Sequence, residues 1–131
     1  MSDNEIAAEN TSEFTADFDA EFGADEIRDI GEVPAVELIN TVCVHLMSAA
    51  AVKLGLADSP DAASDIDLDE ARKLISALAG LVVAAAPEIS NTHARPLRDG
   101  LRSLQLAFRE ASHFPDAPGA GPGEKLTGPV N

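Results

Sequence analysis

The run from Leu68 to Ala86, LDEARKLISALAGLVVAAA, restricts this chain more than any other stretch. Leu68, Ala71, Ile75, Leu78, Val82 and Ala85 recur at spacings of three and four, and Leu74 and Leu81 widen that stripe into a broad apolar face. Its four charges, Asp69, Glu70, Arg72 and Lys73, fall in the first turns, and no ionisable residue follows before Glu88. Such a helix has to be sandwiched between others, so the rest of the domain must pack around it. Asp67 offers an N-cap, with Glu70 completing a capping-box-like pattern. Gly80 costs roughly 1 kcal/mol relative to alanine, which either a close helix crossing or simple tolerance accounts for. Pro87 is expected to stop the helix by disfavouring the α conformation at Ala86.

Two further helices are predicted. The first runs from about Pro34 to Leu54 and ends at Gly55, with Lys53 near its negative end. Its main stripe is Val36, Ile39, Cys43, Leu46, Ala50 and Leu54, flanked by Val42, Val44, Met47 and Val52. The segment Val36 to Leu56 approaches membrane-spanning length, but it holds Glu37, Asn40, Thr41, His45, Ser48 and Lys53, so a buried helix of a soluble domain is the expectation. The other helix is offered Ser90, Asn91 and Thr92 as caps; a start at Thr92 would lose one early hydrogen bond at Pro96 and a start at Pro96 none, so regular helix is expected from Pro96 to about Ser112, with an irregular turn ahead of it. Its stripe is Leu97, Leu101, Leu104, Phe108 and Ala111, the pattern of near-antiparallel packing. From Phe114 onward, four prolines and four glycines among eighteen residues read as a flexible tail. The expected fold class is therefore all-α: a three-helix core over residues 33–113, between a disordered acidic arm at 1–32 and a Pro/Gly-rich tail at 114–131.

Charge is distributed unevenly. Residues 1–32 hold eleven acids and one base, Arg28, which accounts for −10 of the net charge of −14. Phosphate would repel that arm, so DNA is not an expected partner, and a basic protein is its natural counterpart. Within the arm, Phe14, Phe18 and Phe22 fall at i, i+4 and i+8, each preceded by an acid. They make either a docking segment that folds against a groove or a solubilising tail. Arg95, Arg102 and Arg109 keep to one side of the third helix, with Arg98 beside Arg102. They form a solvated flank, with Asp99 and Glu110 as local partners, or an acid-receiving surface for a partner or for the protein's own N-terminal arm; RNA is the third alternative, disfavoured by the overall charge and the lack of an aromatic platform.

No catalytic, cofactor-binding or metal-binding constellation is legible. The single cysteine, Cys43, sits on the apolar stripe as a small buried hydrophobe and fits a reducing cytoplasm. His45 reads as a core-edge residue, and His93 and His113 as residues at the termini of the third helix. GAGPGEK lacks the preceding strand and following helix that a phosphate loop needs. No secretory signal opens the chain. The first two helices carry more apolar surface than one further helix can cover, so a homodimer is expected, with Ala49 to Ala51 or Gly80 allowing close approach; the acidic arm folding back as a cover is the competing solution, and it would leave a monomer.

The order of these segments is itself distinctive: an apolar helix ending in LGL, a loop with Pro60, then IDLDEARKLISALAGL, then LRDGLRSLQLAFRE. It resembles the bacterial family called domain of unknown function eighteen-forty-four, particularly its actinobacterial form. The likeness covers Val33 to Ser112 and, in that form, GPGEKLTGPV as well. The family's segment DLxxAxxxIDxLxxL is matched by Asp67, Leu68, Ala71, Ile75, Leu78 and Leu81. Ser76 stands where an aspartate is common, and Pro96 departs from a simpler capped start. The resemblance implies a small helical cytoplasmic protein with no established activity and no catalytic residues to carry over. Members encoded near a translation initiation factor and large-subunit ribosomal proteins point towards translation. The sequence thus supports a non-enzymatic protein-interaction module, with a small-ligand or regulatory protein using a pocket between Ala-lined helices as the alternative.

Overall fold

The computed structural model describes residues 31–131. The arm, with Phe14, Phe18 and Phe22, lies outside the described residues. The chain divides between Leu38 and Ile39, and apart from the start of the first helix everything below belongs to the unit Ile39–Asn131. From Ala35 onward four helices follow in order: α1 (Ala35–Lys53), α2 (Leu68–Ala85), α3 (Asn91–Ala111) and a single turn, α4 (Glu124–Thr127). Short 3-10 turns lie at Ala62–Asp65 and Ala86–Glu88, and no strand occurs among the described residues. The fold is all-α, and its three long helices are the expected ones.

The core is built from three stripes. Cys43, Ala50 and Leu54 come from α1 and its C-cap, Ile75, Leu78, Ala79 and Val82 from α2, and Leu97, Leu101, Leu104 and Phe108 from α3. Ile75 and Leu78 are fully buried on α2, as its central place requires. Burying a side chain of that size contributes roughly 1.5–3 kcal/mol. α1 ends in a Schellman motif: Leu56 N–H donates to Ala51 O and Gly55 N–H to Val52 O. Gly55 has φ +77°, and a Cβ there would lie 2.7 Å from Ile66 Cγ1, so the turn needs glycine twice over. Asp67 caps α2 by accepting from Glu70 N–H at 3.2 Å. The reciprocal half of the capping box is absent. Asp67 N–H donates instead to Lys53 O at 2.8 Å, tying the two helices together, and Glu70 Oε1 accepts from Lys73.

Four expectations need correction. First, α2 ends at Ala85, ahead of Pro87 as expected, but not by the expected route: Ala86 keeps α geometry (φ −52°, ψ −43°) and donates to Val82 O. The chain tightens into a 3-10 turn and turns extended only at Ile89. A following proline disfavours the α region without forbidding it. Second, α3 begins at Asn91, five residues before Pro96. The bond that Pro96 cannot make would go to the carbonyl of Thr92, an exposed residue, so water can take the donor's place. Third, α1 is not buried over most of its length. Only Cys43 and Ala50 are fully covered, and Val42, Val44, Val52 and His45 are exposed.

Fourth, the Pro/Gly-rich tail is packed on the helices. Glu124 and Val130 are 5% and 4% exposed. Gly119 and Gly121 N–H donate to Glu124 Oε2 at 2.9 and 3.1 Å, and Val130 N–H donates to Oε1 at 3.4 Å. One buried carboxylate thus gathers three backbone donors, and proline and glycine serve as turn formers. Composition alone does not separate such a strap from a linker.

Candidate functional site

The four arginines of α3 end up with different tasks. Arg102 donates to Asn131 O at 3.0 Å and Arg109 to Asp116 O at 3.3 Å, so both hold the C-terminal strap. Arg98 reaches Asn91 Oδ1 only at 3.5 Å, and Arg95 is exposed. The helix keeps them on one side, as the spacing of seven predicts. The strap claims two of them.

Several residues that hold the strap were not singled out from sequence. Gln105 is buried on the apolar side of α3, and its Nε2 donates to Pro122 O at 3.0 Å and to Thr127 Oγ1 at 3.1 Å. Arg72 of α2 forms a 2.7 Å ion pair with Asp116 and lies over the Phe108 ring, 4.9 Å from its centroid. A signal for this was present: an amide within the leucine stripe of α3 has to find buried partners.

Between α2, α3 and the end of the strap lies a groove of about 330 Å3. Val82, Leu101 and Val130 are among its apolar lining, and Arg98 and Arg102 contribute guanidinium groups. Among the described residues no acid lines it, in a chain whose net charge is −14. An apolar floor with positive groups suits a ligand or peptide that pairs an apolar side chain with a carboxylate. A second hollow of about 420 Å3 lies beside the strap, lined by Arg72, Ser76, Lys125, Leu126 and backbone of 120–123.

Cys43 is fully buried, and burial pushes its thiol pKa up, away from reactive thiolate. His45, His93 and His113 are all exposed, which places His45 outside the core edge expected for it. Among the described residues no three of His, Cys, Asp and Glu gather into a set that could hold a metal ion. A helix does follow GPG, but it is a single turn, and Glu124, its first residue, is turned inward as an acceptor. A Cβ added to Gly80 would meet only Leu126 Cδ1 of α4, at an ordinary contact distance of 4.0 Å, so no close helix crossing explains the glycine.

α1 is long and apolar enough to cross a membrane by length and composition, with mean hydropathy 1.6. One stripe of it is nevertheless committed to the core through Cys43 and Ala50.

No curated protein and no solved structure matches the chain. The family model described as Domain of unknown function (DUF1844) matches residues 35–110, from the first residue of α1 to within one residue of the end of α3. With more than half of its length matched over all three long helices, the chain belongs to the DUF1844 family.

Proposed function

We propose that this protein is a non-enzymatic interaction module of the translation apparatus, and that the groove between α2, α3 and the strap receives a segment of its protein partner. The observation that carries the reading is the groove's lining: an apolar floor of Val82, Leu101 and Val130 beside Arg98 and Arg102, without an acid among the described residues. In a strongly acidic chain, that surface favours a partner segment with an apolar side chain next to a carboxylate. The acids of residues 1–32 add attraction for basic proteins, which are abundant on ribosomes. The gene neighbourhood implied by the resemblance supports the choice of translation, and a cytoplasmic location goes with it.

The test is co-sedimentation of the full chain with ribosomes through a sucrose cushion, wild type beside Arg98→Glu. The wild type is expected in the pellet and the variant depleted from it. Equal pelleting of both would remove the groove from the reading, and no pelleting of either would remove translation. A second reading is favoured by the size of the groove, which would admit a small amphiphilic carboxylate. Octanoate shifting the methyl resonances of Val82, Leu101 and Val130, without any ribosome binding, would establish that alternative.

A further inference from the structure

Gln105 is 3% exposed, and it lines the groove between α2, α3 and the strap. Both protons of its side-chain amide are engaged. Nε2 donates to Pro122 O at 3.0 Å and to Thr127 Oγ1 at 3.1 Å. The orientation of the amide follows from these partners. A carbonyl such as Pro122 O can only accept, and the Thr127 hydroxyl gives its own proton to Gly128 O at 3.0 Å. Oε1 is therefore the amide atom that the strap does not use, and among the described residues no group donates to it. Nor is it sealed off, since no fully buried side-chain oxygen of the described residues lacks a partner. A buried side chain thus presents one unmatched acceptor to the groove it lines.

We propose that the groove takes the C-terminal residue of a partner polypeptide, one with an apolar side chain, and that Gln105 Oε1 selects it by accepting its backbone N–H. The proposal rests on the reading of the groove as a partner site and narrows the partner from a segment to a chain end. Three observations select that occupant. The first is spacing. Arg98, Leu101, Arg102 and Gln105 stand at i, i+3, i+4 and i+7 of α3, so cation, apolar floor and acceptor share one face within about 10 Å. A C-terminal residue carries a carboxylate, an apolar side chain and an N–H on a single Cα, which matches that compact set. The second is charge. Arg102 is engaged by Asn131 O at 3.0 Å, whereas Arg98 has only a 3.5 Å contact to Asn91, so Arg98 is the cation left for a carboxylate. The same guanidinium groups disfavour an ammonium donor, which leaves a neutral N–H for Oε1. The third is size. A groove of about 330 Å3 is at the small end of ligand pockets and suits a terminal residue better than a helix.

Other occupants satisfy only part of the set. A fatty carboxylate supplies the apolar chain and the charge but leaves Oε1 without a donor. An aspartate or glutamate inside a segment supplies the charge but puts it and the apolar side chain on two different residues. A site built to receive a hydrogen bond discriminates against a ligand that lacks the donor, here by roughly tenfold in affinity for one neutral bond.

The probe is the peptide acetyl-Ser-Gly-Ser-Gly-Leu with a free carboxylate, titrated into the full chain. Binding is read from the side-chain NH2 resonances of Gln105 and the methyl resonances of Val82, Leu101 and Val130. All of these should shift and saturate. An ester in place of the last amide removes only the N–H donor and should weaken binding roughly tenfold. Amidation of the C-terminus removes the charge and should weaken it at least as much. In Gln105→Met the amide and ester forms should bind alike; should that variant loosen the strap, the comparison of the two ligands on the wild type still decides. Equal binding of amide and ester by the wild type would overturn the proposal and leave Oε1 merely solvated. So would octanoate, or an amidated peptide ending in Leu-Asp, binding as tightly as the free C-terminus. Each of those results leaves the groove a binding site and leaves the ribosome pelleting of Arg98→Glu to be judged by itself, so the two readings fail separately. Binding of no probe would also overturn the proposal.

Discussion

A Cβ added to Gly123 would sit 2.5 Å from Cβ of Ala79, closer than two carbon atoms can approach. Gly123 also has φ +74°, a conformation that costs an L side chain roughly 1–2 kcal/mol. The strap therefore lies directly on α2 at the one point where both residues are small. Gly123→Ala is expected to cost about 2–4 kcal/mol, read as a fall in the urea midpoint. Because Ala79 is fixed to helix backbone, neither partner can give way by changing rotamer.

Gly80→Ala should have the opposite sign. The added methyl meets Leu126 Cδ1 at 4.0 Å, an ordinary contact, and the residue is helical. A gain of about 0.5–1 kcal/mol in urea or thermal unfolding is expected from helix propensity and from the unfolded chain's lost freedom.

Glu124→Gln replaces one acceptor oxygen with an NH2 donor in a site holding three N–H donors. At least one donor is then left unsatisfied, at a cost of about 1–3 kcal/mol. Amide exchange at Gly119, Gly121 and Val130 should accelerate well before that at Leu78, because the strap opens while the three-helix core stays closed.

The ion pair of Arg72 with Asp116 contributes less than its 2.7 Å length suggests, since the two side chains are 42% and 30% exposed. A double-mutant cycle with alanine at both positions should return a coupling below about 1 kcal/mol. Arg72→Ala alone should cost more than Asp116→Ala alone, because it also strips the guanidinium from the Phe108 ring.

Cys43 gives a pH dependence with a definite sign. Burial raises its thiol pKa above the ordinary value of 9.0. The unfolded chain therefore ionises first as pH rises, and the stabilising contribution, complete below 9.0, is lost as pH climbs through the raised folded value. Cys43→Ala, which has no thiol to titrate, should flatten the stability profile at alkaline pH. In the wild type, labelling by a maleimide at pH 7 should proceed only as fast as the protein opens.

The sequence by itself determined the three long helices and their inward faces. Periodicity of apolar residues records which side of a helix must leave water, and for Ile75, Leu78, Leu101 and Phe108 that is a local property of the pattern. Gly55, Asp67 and the burial of Cys43 were legible for the same reason: a left-handed cap, an N-cap and an apolar stripe each act within one or two turns. The strap was not legible, because its order comes from contacts across 17 to 44 residues, Gln105 to Pro122 and Arg72 to Asp116. Proline and glycine specify turns equally well in a linker and in a strap, and only Ala79, Gln105 and Glu124 acting together distinguish the two. The outer face of α1 was also decided by tertiary structure. An all-round apolar helix announces that it needs neighbours, but which side receives them depends on where α2 and α3 lie. Those helices cover the Cys43 and Ala50 side rather than that of Val42 and Val52.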